Sequence, residues 1–234
     1  SPGNVKKLSE LEGMKVDQVC IGSCTNSSYK DMMTTAAILK GRTVHPDVSL
    51  GIAPGSRQIL LMLSKSGALS DLLGAGGRIM ESACTFCIGN EFSPKSAGIS
   101  IRTSNRNFEG RSGTKDAQVY LTSPEVAAVA ALTGKLTDPR KIGVPYPKFE
   151  EPDQYVVDDS MFLFPKPEMK DTPILRGPNI GEPPRSEKMP QSLKGEVAIK
   201  VGDKITTDHI TPAGSRLKYR SNVPKYSEFV FENV

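Results

Sequence analysis

At 234 residues the chain has room for one domain of ordinary size and part of a second. Lys+Arg 30 against Asp+Glu 26 leaves +4 with the two signs interspersed; this is too mild for a nucleic-acid surface, and it suits an anionic small molecule where arginines converge on one pocket. Six per cent aromatics and no Trp weaken a base-stacking surface, no apolar run approaches the roughly 18–20 residues of a membrane span, and Ser1-Pro2-Gly3-Asn4 lacks the pattern of a signal peptide, so the chain reads as soluble and cytoplasmic, or mitochondrial-matrix in a eukaryote.

In chain order, Val16 to Ile21 is a β-prone run ending at Gly22-Ser23, and residues 30–40 follow with helical composition. The pattern recurs: Val48 to Ala53 predicts a strand, Pro54-Gly55-Ser56 a turn, and Arg57 to Ser66 a helix with apolar Ile59, Leu60, Met62 and Leu63. Arg78 to Ser82 and Ile99 to Thr103 are further candidate strands. Ser123-Pro124-Glu125 opens an Ala/Val-rich helix stopped by Gly134, because a serine at the N-cap accepts from free N–H groups and proline presets φ at the first helical position. Strands alternating with helices imply an α/β, three-layer domain with a mainly parallel sheet over residues 1–140.

Ten prolines between 141 and 194 leave little room for helices or central strands, so this stretch is expected to be an extended surface connector. From Gly195 the alternating Glu196-Val197-Ala198-Ile199-Lys200-Val201 predicts a strand that begins a second, β-rich domain over 195–234, too short for an independent core.

The four cysteines are Cys20, Cys24, Cys84 and Cys87, and in a chain read as non-secreted they favour metal or redox chemistry over a disulfide framework. Cys84-Thr85-Phe86-Cys87 places two thiols within reach of one centre; on spacing alone a redox pair, a zinc half-site and a cluster half-site all remain open. Cys24 lies between a strand and a helix among small polar residues, where free N–H groups and the helix dipole stabilise thiolate and hydroxyls can donate to cluster sulfurs. Cys24 with Cys84 and Cys87 would make three ligands, and a cubane held by three thiolates keeps one iron open as a Lewis acid. Cys20, inside an apolar strand run, is expected to be a buried core thiol; a structural zinc site using all four cysteines is the rival.

Ser104-Asn105-Arg106-Asn107-Phe108-Glu109-Gly110-Arg111 follows a strand and brings two guanidinium forks, suited to carboxylates, onto one short loop, at the strand ends where such sheets bind ligands. Asp208-His209, with Arg220 twelve residues after Asp208, is a candidate for positioning or transferring protons, although such a dipeptide is also a common local cap. His45 reads as an ordinary loop histidine.

Gly-Ser-Cys-Thr-Asn-Ser at 22–27, Cys-Thr-Phe-Cys-Ile-Gly-Asn at 84–90, Ser-Asn-Arg-Asn-Phe-Glu-Gly-Arg at 104–111, Leu-Thr-Ser-Pro-Glu-Val at 121–126 and Thr-Thr-Asp-His-Ile-Thr-Pro-Ala-Gly at 206–214 resemble the aconitase family, in the family's order. The resemblance implies that Cys24, Cys84 and Cys87 hold a [4Fe-4S] cluster, and that Asn105, Arg106 and Arg111 contact substrate or cluster from the family's third domain. It further implies that Asp208, with His209 beside it, and Arg220 belong to the active site from the fourth, swivelling domain. The implied reaction is reversible dehydration of a tricarboxylate, citrate to isocitrate through cis-aconitate; a homologous hydro-lyase acting on an isopropylmalate, homoaconitate or methylcitrate-type acid is the alternative. Family members also carry two further α/β domains ahead of this segment and a later Gly-Ser-Ser-Arg segment supplying a serine base. Neither is found here, so this piece is expected to lack complete catalysis and to have the missing domains as its partners. An RNA-binding role, which some relatives take up, is opposed by the modest charge.

Overall fold

The computed structural model describes residues 3–232, which fall into two units dividing between Phe162 and Leu163.

The first unit is organised by β1 (Gln18–Gly22), β2 (Ser49–Ala53), β3 (Arg78–Ile79), β4 (Ile99–Arg102) and β5 (Gln118–Leu121), all parallel, in the order β3-β2-β1-β4-β5. The α/β expectation therefore holds. Strand alternation sorts the residues onto two faces. On one, Val19, Ile21, Leu50, Ile52 and Ile101 pack against α2 (Tyr29–Leu39), α3 (Arg57–Ser66), α4 (Ala68–Gly74) and α5 (Pro124–Thr133) in the main core. On the other, Cys20 and Ala53 meet Met80, Phe86 and Phe92, which belong to the long loop between β3 and β4. Gly51 makes that third layer possible, because a Cβ there would stand 2.8 Å from the Phe92 ring.

Helix boundaries follow local chemistry. Ser28 accepts from the Asp31 N–H at 3.2 Å while the Asp31 carboxylate accepts from the Ser28 N–H at 3.1 Å, the reciprocal cap that starts α2. Ser56 caps α3, and Ser123, followed by Pro124, caps α5, which ends at Gly134 with φ 71°. The sequence leaves α4 and β5 unassigned, and a short α1 (Leu8–Leu11) precedes the sheet. β3 is shorter than its predicted run, Arg78–Ile79 instead of Arg78 to Ser82.

At the amino-terminal end of the sheet the first and last segments of the core lie side by side. Gly13 N–H donates to Leu136 O at 2.8 Å, Leu136 N–H to Met14 O at 2.9 Å and Val16 N–H to Gly134 O at 2.9 Å. Beyond them the first part of the proline-rich connector stays on the same unit. The Tyr146 hydroxyl donates to Glu125 at 3.0 Å, Tyr29 meets Phe149 and Tyr155 edge-on, and Arg57 pairs with Asp158 at 3.0 Å.

The second unit corrects one expectation. Its described residues contain α6 (Thr207–Ile210), α7 (Val223–Ser227) and 3₁₀ turns, and no strand. Glu196 to Val201 alternates as a strand should, but a strand closes its hydrogen bonds only against a neighbour, and the described residues of this unit supply none. Arg216 instead anchors the segment, with two bonds of 3.0 Å to Glu232 and its guanidinium 4.0 Å from the Phe229 ring centroid.

Candidate functional site

Strand order reverses between β1 and β4: the chain runs outward through β2 and β3, then crosses to β4 on the other side of β1. Ligands of open parallel sheets bind beyond the carboxyl ends of the strands at such a switch point. The loops that leave β1 and β4 carry Cys24 and the arginine segment.

The Cys24 loop is fixed by its backbone. Gly22, at φ 108°, lies so close to β2 that a Cβ would stand 2.0 Å from Ala53 O, so only glycine lets the strand end there. Ser23 and Asn26 also take positive φ, 77° and 50°. The turn is held to β4 because Gly22 N–H donates to Thr103 Oγ1 at 2.8 Å and Asn26 Nδ2 donates to Thr103 O at 2.8 Å. Cys24 is left exposed at its tip.

Cys84 and Cys87 lie on the loop that covers the second face of the sheet. A 3₁₀ turn, Phe86–Ile88, ends at Gly89 with φ 72°. Asn90 N–H donates to Thr85 O at 3.0 Å, closing the turn. Gly89 sits against the arginine loop, and a Cβ there would come within 2.1 Å of Ser112 O. Cys84 is exposed and Cys87 buried.

The three loops meet. Arg111 donates from Nη2 to Cys87 Sγ at 3.7 Å, and its guanidinium lies 5.7 Å from the Phe108 ring centroid. Loss of water raises the Cys84 pKa, and the neighbouring Cys87 and Cys24 sulfurs raise it further, while the Arg111 charge works in the opposite sense. The Ser23 hydroxyl, close to Cys84, adds the smallest contribution and favours its thiolate. Thus Cys24, Cys84, Cys87 and Arg111 share one electrostatic neighbourhood. Asn105 and Arg106 lie on the same loop as Arg111, with Arg106 Nη1 donating to Asn105 O at 3.1 Å.

Cys20 stands apart. It is fully buried in β1, and burial pushes its thiol up to about 11, so it is a neutral core group as the sequence predicts. No three or more His, Cys, Asp or Glu among the described residues are placed to hold a single metal ion. A cluster makes a different demand, since each thiolate binds its own iron and the sulfurs need not converge on one point.

The polar atoms around the cysteines supply a test of fit. Ser23 Oγ, Thr85 Oγ1, Ser104 Oγ and Ser112 Oγ are buried with no hydrogen-bond partner among the described residues. Each immediately flanks Cys24, Cys84 or Arg111 in sequence or opens the arginine loop. Buried hydroxyls are rarely left so, and a group of them on the loops that carry the cysteines and Arg111 suits sulfide and oxygen acceptors. The residues present therefore fit an anionic iron–sulfur group.

Asp208, His209 and Arg220 belong to the second unit. His209 Nδ1 accepts from the Thr206 N–H at 2.9 Å, which makes it the local cap of α6; Asp208 is half-buried and Arg220 exposed. Sequence reasoning foresaw hydroxyl donors around Cys24, but it missed Thr85, Ser104 and Ser112 and also Arg102, the last residue of β4, which is completely buried. A signal was available for Arg102: it shares a sheet face with Gln18 and Cys20, a charged residue where alternation demands an interior one.

The model of the Aconitase family (aconitate hydratase) matches residues 3–134, more than half of the chain. The chain is 44% identical over 141 residues to 3-isopropylmalate dehydratase large subunit 1 of Methanopyrus kandleri, covering 60% of this chain and 34% of that protein. It is 42% identical over 140 residues to the homoaconitase large subunit of Thermus thermophilus, covering 59% of this chain and 34% of that protein. The chain thus spans about a third of the length of these relatives, and the matched family region carries all three site cysteines and the arginine loop. With the parallel sheet, its switch point and the cysteine loops in place, the chain belongs to the aconitase family.

Proposed function

We propose that this chain is the cluster-holding part of a hydro-lyase that reversibly dehydrates a hydroxy polycarboxylic acid, with Cys24, Cys84 and Cys87 holding a [4Fe-4S] cluster. The observation that carries the reading is the meeting of these cysteines with Arg111 among buried hydroxyls that lack partners. When bound, the cluster supplies an iron without a thiolate ligand, which acts as a Lewis acid on a hydroxyl or carboxylate. The chain's own residues do the rest. Arg111 and Arg106 present forks for substrate carboxylates, and Asn105 adds an amide on the same loop. Ser23, Thr85, Ser104 and Ser112 donate to the anionic centre.

Asp208 and His209, within the motif at 206–214, and Arg220, twelve residues after Asp208, are proposed to act on the substrate, and a serine base is expected from the rest of the parent protein, since this chain spans about a third of its relatives' length. The remainder of the parent protein is then an obligatory partner. Citrate and isocitrate, through cis-aconitate, are the substrates that the motifs favour. The names of the relatives favour a second reading, 3-isopropylmalate or homoaconitate.

The experiment has two arms. In the first, the chain is reconstituted anaerobically with iron and sulfide and followed by absorption, EPR and metal content. Cys24→Ser, Cys84→Ser and Cys87→Ser should each lose a stable cluster and Cys20→Ser should keep it; a normal cluster in Cys24→Ser sinks the assignment. In the second, the full-length protein is assayed with citrate, homocitrate and 3-isopropylmalate, and turnover of none of them would remove the hydro-lyase reading.

A further inference from the structure

Arg102 is fully buried, and none of the ion pairs among the described residues gives it a carboxylate. Burying a cation without a counter-charge is costly, so a fold that keeps one has a use for it or tolerates a large penalty. Its surroundings show how the cost is reduced. Nε donates to Ser100 Oγ at 2.9 Å, Nη2 donates to Gln18 Oε1 at 3.0 Å and Nη1 donates to the backbone oxygen of Phe86. Gln18 is itself fixed, since its Nε2 donates to Phe92 O at 3.3 Å and to Ser93 O at 3.1 Å while its Oε1 also accepts from Ser100 Oγ at 2.8 Å. The guanidinium carbon lies 5.9 Å from the Phe86 ring centroid.

Phe86 is the residue between Thr85 and Cys87, so the guanidinium grips the cysteine loop by its backbone. The partners beyond it, Phe92 and Ser93, are on the same loop a few residues later. Arg102 and Thr103, adjacent in sequence, therefore hold both cysteine loops: Arg102 reaches the Cys84–Cys87 loop, and Thr103 the Cys24 turn. Burial lowers the Arg102 pKa, and the neighbouring Cys20 and Cys87 sulfurs act in the opposite sense by favouring the charged guanidinium; Cys87 is a proposed ligand. A thiolate-ligated cluster carries net negative charge, and positive charge buried beside it stabilises that charge strongly because the medium between them is poorly screening.

We infer that Arg102 is a positioning residue for the cluster loop and the buried counter-charge of the anionic centre that the loop holds. The inference rests on the cluster reading above. Its two parts have separate readouts: position is read on the apo chain and charge on the loaded one.

For position, the rate at which a neutral maleimide labels each cysteine is measured by peptide mass on the apo chain. Arg102→Met should speed labelling of Cys87 at least about tenfold while Cys20, also buried, stays protected; equal Cys87 rates overturn the proposal. For charge, the midpoint potential of the reconstituted cluster is measured by EPR-monitored titration. Arg102→Met should lower it by a tenfold change in the reduction equilibrium, about 59 mV for a one-electron couple, and Arg102→Lys should recover most of the shift. A midpoint unmoved in Arg102→Met overturns the proposal, because a purely structural arginine would leave the potential of an intact cluster where it was.

Should Arg102→Met fail to fold, Gln18→Glu makes the same measurement: it keeps the guanidinium and its shape but sets a carboxylate beside Nη2, and the midpoint should fall. An unmoved midpoint there counts equally against the proposal. A wild-type chain that takes up no iron and sulfide overturns the cluster reading itself, whereas a wild type that loads beside variants that behave identically overturns only the role of Arg102.

Discussion

The two ends of the parallel sheet are built on opposite terms. At the amino-terminal end polar groups are matched: the Asp17 carboxylate accepts from the Ile99 N–H at 2.8 Å and pairs with Lys95 at 2.6 Å, and its backbone bridges β1 to β2 and β4 through Ser49 and Ile99. At the carboxyl end, four buried serine and threonine hydroxyls have no partner among the described residues, Gly22 and Gly89 sit where no Cβ fits, and none of the ion pairs among the described residues gives the buried Arg102 a carboxylate. A partnerless buried polar group costs roughly 1–3 kcal/mol. The first end holds the fold together, and the second spends stability on a surface prepared for something else.

The largest expected break in this contrast is Gly22→Ala. Gly22 combines φ 108° with an approach of 2.0 Å to Ala53 O, so β1 and β2 must separate to admit a methyl group, and a loss above about 3 kcal/mol is expected. Gly41, at φ 66° and with open space around it, is the comparison: Gly41→Ala should cost only about 1 kcal/mol. Urea midpoints of the two variants decide the matter, and equal losses would show that backbone conformation alone, without the close approach, explains Gly22.

A smaller effect is expected at the amino-terminal end. The hydrogen bond from Lys95, then the one from Ile99 N–H, hold the Asp17 carboxyl below its ordinary value of 3.8. A folded-state pKa lowered in this way adds stability that is fully present above 3.8 and is lost as pH falls through the folded value. Asp17→Asn should therefore cost about 1 kcal/mol at neutral pH, chiefly the charged hydrogen bond, since the Lys95 side chain is mostly in solvent. The gap between wild type and variant should stay constant down to about pH 4 and close below it. A gap that widens in acid would reverse the assigned sign.

The smallest effect separates the two kinds of serine. Ser112→Ala removes a buried hydroxyl without a partner, and apo stability should hold or rise by roughly 1 kcal/mol. Ser28→Ala removes a helix cap and should cost about 1 kcal/mol. If Ser112→Ala is as damaging as Ser28→Ala, the hydroxyl has a structural partner after all and the contrast between the two ends weakens.

How much of this could be read in advance depended on how local each cause is. Ser28, Ser56, Ser123 and Gly134 mark helix ends through bonds to residues at most four positions away, and the predicted helices accordingly end near where they should. α3 is found at its predicted bounds. Helix α4 escaped because it starts from Gly67 without a side-chain cap, and β5 because it lies at an edge where none of its residues is fully buried. The failure at Glu196 to Val201 has the same root in reverse, since alternation is a local property and a partner strand is not.

The site divides along the same line. Cys24, Cys84 and Cys87 announce themselves in short motifs, and Cys20 could be set apart by its apolar neighbours. That Arg102 reaches the Phe86 carbonyl, or that Gly89 touches Ser112, depends on contacts across the fold that no window of sequence contains.

The pairing of Met14 and Leu136 has a consequence beyond stability. It brings the strand-side entrance of the helix-and-sheet core and its exit to one spot, at the end of the sheet away from the cysteine loops. A segment whose two ends leave from one point can be carried through evolution as a cassette, joined to different neighbours by different tethers while its interior geometry is untouched. Recombination could then change what approaches the cysteines without rebuilding the cradle that holds them.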